Sequence, residues 1–238
     1  MSAGVLFDVD GTLVDTTYLH TVCWWQALRQ LDLDVPMAHI HRAIGMGSDR
    51  ILRQLLAQHE TPNGDQLDDE AQHALHTAKS TLYSTYWDRL RPLPGAPELL
   101  HACADEGLSV VLASSASHSE LTKLRATLDC DDVITAATSS ADAQRSKPAP
   151  DILQAALDQS GLAPTSAVFV GDSVWDVEAA AKLDIRCIGL TSGGLAATEL
   201  QAAGAVEIYE SPRDLLERFA ESASLRQLLG RRRSPPSG

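Results

Sequence analysis

Val5-Leu6-Phe7-Asp8-Val9-Asp10-Gly11-Thr12-Leu13-Val14-Asp15 is the stretch whose reading decides the fold. Three apolar residues run into an acid, and a glycine follows three positions later, as when a buried strand breaks into a turn. Similar short runs recur at Val110-Val111-Leu112-Ala113, Val133-Ile134, Ala167-Val168-Phe169-Val170 and Ile185-Arg186-Cys187-Ile188. Between them lie helical patterns over 96–106, with Gly107 as a left-handed stop, and over 119–128, 151–159 and 174–183. Continuous apolar strands alternating with helices predict an α/β protein with a parallel sheet covered on both faces.

The segment from 16 to 91 reads differently. Leu19, Val22, Cys23, Ala27 and Leu31 form one helical stripe; Ile51, Leu52, Leu55 and Leu56 form a second, with Ser48 placed to cap it. Leu67, Ala71, Leu75, Ala78, Leu82 and Tyr86 form a third, with Asn63-Gly64 between the second and third. An all-helical block inserted after the first strand predicts a cap over an active site. The predicted division is a core of 1–15 and 92–230, a helical cap of 16–91, and a disordered tail of 231–238. At roughly 150 residues per domain, 238 residues suit a core with an insertion.

Composition narrows the partners. The chain is 44% hydrophobic and 21% charged, as in an ordinary globular protein, and 19 basic against 32 acidic residues leave a net charge of −13. So acidic a surface repels phosphate backbones and anionic lipid, which argues against nucleic-acid and membrane binding. No apolar run approaches the ~20 residues of a membrane span, and the amino terminus lacks the pattern of a secretory signal. Four scattered cysteines with no Cys-x-x-Cys pair read as reduced thiols, so a cytoplasmic location is expected. Oligomeric state stays open.

Ligands of parallel sheets bind beyond the carboxyl ends of the strands. Asp8 and Asp10 end the first strand, Ser114 and Ser115 the second, and Asp172 the fourth, with Asp176 one helical turn on; Lys147 precedes a helix. Each has an ordinary explanation alone, as turn, cap or solvated loop residue. Their convergence on one rim predicts phosphoryl chemistry. Clustered carboxylates need a cation among them, and hard oxygen ligands suit Mg²⁺. Asp8 then serves as nucleophile, Asp10 as acid and base, and Ser114, Ser115 and Lys147 as phosphate-binding groups. In the helical block, His20, Trp24 and Trp25 read first as packing and second as substrate contacts. Gly47 and Arg50, in the Gly45-Met46-Gly47 loop and the helix after it, read equally as an anion site and as a plain connection.

Asp8-Val9-Asp10-Gly11-Thr12, Ser114, Lys147-Pro148 and Gly171-Asp172-Ser173 with Asp176 together resemble the four ordered signatures of the haloacid dehalogenase-like (HAD) superfamily, in its phosphoglycolate phosphatase and β-phosphoglucomutase-like branch with a type-1 cap. The resemblance implies a Rossmann-like core, Mg²⁺ dependence and phosphoryl transfer through Asp8. It implies metal ligation by the Asp8 carboxylate, the Asp10 backbone carbonyl and Asp172, with Asp176 behind them. It further implies that Asp10 marks P–O chemistry, since the dehalogenases lack an aspartate there. The expected activity is hydrolysis of a small phosphorylated metabolite. A β-phosphoglucomutase-like reaction is the rival, although Gly171 stands where that branch carries a second acid and Thr12 leans toward phosphatase. A non-catalytic phospholigand-binding protein is the third reading.

Overall fold

The computed structural model describes residues 2–58 and 67–233. Six parallel strands, β1 (Gly4–Phe7), β2 (Ser109–Ala113), β3 (Ile134–Thr138), β4 (Ala167–Gly171), β5 (Arg186–Leu190) and β6 (Glu207–Tyr209), lie in the order β3-β2-β1-β4-β5-β6. This is the order of a doubly wound Rossmann-like sheet. β1 lies between β2 and β4, with Leu6 opposite Val111 on one side and Phe169 on the other. The chain winds outward one way to β3, then returns to β4 and winds the other way. The crevice left at that reversal opens between β1 and β4.

Side chains alternate across the strands, so the two faces build separate cores. Val5, Phe7, Val110, Leu112, Val168 and Val170 face one side. They pack under α5 (Ala96–Asp105), α6 (His118–Leu128), α10 (Pro212–Glu217) and α11 (Ala223–Arg233). Leu6, Val111 and Phe169 face the other, under α7 (Asp151–Ser160), α8 (Val174–Ala181) and α9 (Ala197–Ala203). Strands buried on both faces explain why their sequence shows no polar alternation. All four cysteines are buried and unpaired.

Between β1 and β2 come α1 (Thr17–Arg29), α2 (Met37–Ala43), α3 (Ser48–Gln58) and α4 (Asp69–Ser84). Trp24, Leu28, Ile40, Leu52, Leu55 and Leu75 form a third apolar cluster among them. The chain leaves and re-enters the sheet side by side: Asp15 N–H donates to Arg91 O and Leu93 N–H to Leu13 O. Polar bridges then hold the helices over the carboxyl edge of the sheet. His41 Nε2 donates to Gly193 O at 2.8 Å, Trp175 Nε1 to Arg42 O at 3.0 Å, and Ser146 Oγ to Asp49 Oδ1 at 2.5 Å.

Several boundaries differ from the expectation. The first helix ends at Arg29, so Leu31 falls outside it and is exposed; α2 and β6 carry too few residues for periodicity to mark them. The strand expected at Val133-Ile134 runs from Ile134 to Thr138, where Ala136 and Ala137 are too small to read as an apolar run. Gly107 has φ +72, as a left-handed stop requires. Helix α11 continues through Arg233, so Arg231, Arg232 and Arg233 are helical rather than part of the tail; the remainder of that tail and Asn63-Gly64 lie outside the described residues.

Leu6 stands at the centre of the sheet with no exposure, so Leu6→Ala should cost about 2–5 kcal/mol through lost burial and a cavity. Val206, 51% exposed, is the contrast: Val206→Ala should change stability by no more than about 0.5 kcal/mol. Urea unfolding of both variants checks the pair.

Candidate active site

Asp8 follows the last residue of β1, and its N–H donates to Val170 O across the crevice. The chain then turns at once: Leu13 and Val14 N–H both donate to Val9 O, and Gly11 takes φ +78. Glycine is required here on two grounds. A side chain is strained at that φ, and a Cβ would stand 2.4 Å from Asp172 Oδ2. Gly193, in the loop after β5, closes the other side of the same carboxylate, where a Cβ would lie 1.7 Å from Oδ2. Asp172, at the end of β4, is therefore held between two bare backbones, with Thr12 Oγ1 donating to its Oδ1 at 2.7 Å.

Lys147 reaches this crevice from the loop before α7. Its side chain has no exposure, and Nζ lies 2.5 Å from Asp8 Oδ1 and 2.7 Å from Asp176 Oδ1. Burial works against the ammonium, but Asp176 and Asp8 outweigh it and raise its pKa. Asp176 is itself fixed, since its Oδ2 accepts from Ser173 N–H and Oγ at the start of α8. Asp8, Asp172 and Asp176 offer carboxylate oxygens within 4.8 Å of one another, all buried. Burial pushes the Asp8 carboxyl up to about 8, and the nearby Asp176 and Asp10 charges add to this against the pull of Lys147. Burial likewise raises Asp172 well above the carboxylate range, with Asp176 and Asp8 adding to it. One ammonium does not balance three carboxyls in a dry crevice. An all-oxygen donor set with this excess charge fits a divalent cation. Asp8 and Asp172 could hold it, while Asp176 is already engaged by Lys147 and Ser173.

Asp10 lies in a different setting. Its Oδ1 accepts from Thr16 Oγ1 at 2.7 Å and pairs with His20 Nε2 at 3.0 Å. Burial alone would raise this carboxyl; the His20 ring, its hydrogen bond and the Thr16 hydroxyl bring it below its ordinary value. His20 stacks on Tyr83 of α4 with ring centroids 4.1 Å apart, which fixes the imidazole. Two carboxyls two residues apart are thus driven in opposite directions by their surroundings.

Asp8 and Asp10 form the floor of a cavity roofed by the helical insert. Trp24, Ile44, Met46 and Ile51 supply apolar walls; Lys79, Glu120 and Ser115 supply polar ones. Ser114, deeper, is buried and its Oγ accepts from Ala116 N–H at 3.0 Å. The structure therefore gathers Asp8, Asp10, His20, Ser115, Lys147, Asp172 and Asp176 around one crevice. Gly47 abuts Ser146, while its neighbours Gly45, Met46 and Ser48 line the Asp8 cavity; Arg50 lines an outer cleft with Arg53, Gln54 and Trp175 that shares Met46 with that cavity.

Lys79 and Glu120 were not singled out in the sequence, yet both line the cavity, with Nζ 3.2 Å from Oε1. A signal existed for each. Lys79 falls four residues after Leu75 and four before Tyr83, on the buried face of α4. Glu120 is the third residue of α6 in a capping box with Ser117, which places it at a helix start facing the crevice.

Comparison with known proteins agrees with this geometry. A curated phosphoglycolate phosphatase of Escherichia coli is 29% identical over 231 residues, covering 90% of both chains. The crystal structure of a hydrolase from Pseudomonas syringae superposes with a TM-score of 0.85 at 32% identity, covering 93% of this chain and 99% of that one. A putative β-phosphoglucomutase from Bacteroides vulgatus shares the fold, with a TM-score of 0.82 at 22% identity over 96% of this chain and 90% of that one. The family model described as haloacid dehalogenase-like hydrolase matches residues 3–184, the span that carries Asp8, Asp10, His20, Ser115, Lys147, Asp172 and Asp176, and the chain belongs to that family.

Proposed function

We propose that this protein is a Mg²⁺-dependent phosphatase that hydrolyses a small organic phosphate monoester through an aspartyl-phosphate on Asp8. One observation carries the reading: Asp8 and Asp10 share a cavity floor, the first tied to Lys147 and the second to His20 and Thr16. Residues 1–15 and 92–230 act as the catalytic core, and 16–91 as the cap that roofs it.

Asp8, Asp172 and the Asp10 carbonyl would hold the cation, which supplies charge neutralisation for the carboxylates and the phosphoryl oxygens. Asp8 attacks phosphorus through a carboxylate oxygen. The negative phosphoryl group arriving beside Asp10 favours the protonated carboxyl; Asp10 gives that proton to the departing ester oxygen, and the alcohol leaves. The Asp10 carboxylate then takes a proton from water as that water attacks phosphorus, which frees Asp8 and inorganic phosphate. Lys147, protonated throughout, offsets charge growing on the phosphoryl group, and Ser114 and Ser115 bind its oxygens. His20 and Thr16 orient Asp10 and stabilise the ionised form it reaches once the alcohol has left, ready to accept a proton from water. The walls of the cavity exclude bulk water from the reacting phosphorus.

The β-phosphoglucomutase reading has one specific obstacle. A Cβ at Gly171 would lie 2.6 Å from Asp176 Cβ, so the second acid expected of that branch has no room while Asp176 pairs with Lys147. Accumulation of inorganic phosphate, rather than an isomerised sugar phosphate, is the expected result of turnover. A protein that only binds phosphorylated ligands would have no use for a proton-transferring Asp10 beside Asp8.

Asp8→Asn should abolish phosphate release while far-UV circular dichroism stays native; turnover in that variant overturns the mechanism. Asp10→Asn should lower kcat by roughly 10²–10⁴-fold, the range of a lost general acid and base. The cation has a second signature in stability. Asp8 is raised to about 8 when no cation is bound, far above its unfolded value, so the metal-free fold loses stability as pH rises from about 4 to 8. Mg²⁺ at about a hundred times its Kd should restore about 2.7 kcal/mol. Melting curves at pH 6 and pH 8, in chelator and in Mg²⁺, should show the larger Mg²⁺ effect at pH 8. Equal curves at pH 8 would sink the cation assignment.

A further inference from the structure

Lys79 lies on α4 of the insert and Glu120 on α6 of the sheet-bearing part, on opposite sides of the cavity above Asp8 and Asp10. Both are well sheltered, with side chains 5% and 12% exposed, and Nζ stands 3.2 Å from Oε1. Lys79 is the one lysine or arginine among the described residues that line this cavity. The arginines of the neighbouring helix, Arg50 and Arg53, line the outer cleft instead. The charge of Lys79 is therefore already taken. Glu120 is doubly held, since its Oε2 accepts from Ser117 N–H and Oγ at 3.0 Å, so the carboxylate stays in place beside the ammonium.

A leaving group entering this space meets the apolar faces of Trp24, Ile44, Met46 and Ile51. Its polar surroundings are the neutralised Lys79–Glu120 pair, Asp10 paired with His20, and the hydroxyls of Ser48 and Ser115. Among the described residues, no unengaged lysine or arginine on the wall is available to a second negative charge, and the Glu120 carboxylate stands against one beside Lys79.

We infer that Glu120 is a specificity-determining residue that neutralises Lys79 and thereby selects phosphate esters of uncharged alcohols, such as polyol or sugar phosphates, over phosphorylated carboxylic acids. The inference rests on the phosphatase reading above and adds the substrate class. It separates this chain from what the name of its phosphoglycolate phosphatase relative suggests. Removing the Glu120 charge without its shape should leave Lys79 free to pair with a carboxylate on the leaving group.

The test measures kcat/KM on a panel of two kinds: glycerol and hexose phosphates, and phosphoglycolate and phosphoglycerate. The wild-type protein should favour the uncharged class by roughly tenfold to a hundredfold, the scale of one buried like-charge contact. Glu120→Gln, which retains acceptors for Ser117, should shrink that preference by roughly tenfold or more, mainly through KM for the carboxylated esters. Ser117→Ala, which removes the helix-cap partner and leaves the Glu120 charge, should keep the wild-type preference. A wild-type protein that favours the carboxylated esters overturns the inference and leaves the phosphatase reading intact. So does an unchanged preference in Glu120→Gln, or a Ser117→Ala that matches it. If Glu120→Gln does not fold, the wild-type preference decides alone. Phosphate release from no ester of either kind overturns the phosphatase reading itself, and the inference with it.

Discussion

A lysine with no access to solvent sits between two aspartates at the end of the sheet, and the rest of the site depends on it. Lys147 can keep its charge there only because Asp8 and Asp176 flank it at 2.5 and 2.7 Å. The dependence is mutual. Remove the ammonium and three carboxyls face one another in a dry crevice, an uncompensated arrangement that typically costs about 3–5 kcal/mol. Asp176 also starts α8 through Ser173, and Phe169 of β4 lies beneath Nζ at 5.3 Å. One ion cluster thus ties the ends of β1 and β4 to the start of α8 and the loop before α7.

That cluster explains how neighbouring acids take different parts. Asp8 draws its partners from the core: Lys147 before α7 and Asp176 on α8. Asp10, two residues later, points the other way and draws its partners from α1, where Thr16 stands at the start and His20 one turn on. Tyr83 on α4 stacks on that histidine. The ionisation of Asp10 is therefore set by the helical insert, while that of Asp8 is set by the core. The same division places Lys79 on one side of the cavity and Glu120 on the other.

Much of this was legible in the residues. Strands buried on both faces are largely apolar, so β1, β2, β4 and β5 announced themselves; of the two edge strands, β3 showed only its start at Ile134, and Glu207–Tyr209, three residues long, carries no run. The acids at the strand ends could be picked out because strand ends in a parallel sheet share one rim. Gly47 and Arg50 show where that reasoning stops. A glycine loop before a helix is a fair anion site in isolation; here Gly45 and Met46 face the Asp8 cavity, while Gly47 meets Ser146 and Arg50 lines the outer cleft. Lys79 and Glu120 illustrate the converse. Forty-one positions apart, each reads locally as helix chemistry, one as a stray charge on an apolar stripe and the other as a cap.

The sequence by itself determined the alternation of strand and helix, the helical insertion, and which polar side chains stand at the ends of strands. Those are consequences of periodicity, turn residues and chain order, all local. Tertiary structure alone decided which of those side chains meet, how many charges each must share, and which faces of the insert look into the crevice. The reason is physical: a charge acquires its character from neighbours within a few ångströms and from the loss of water, and chain separation encodes neither.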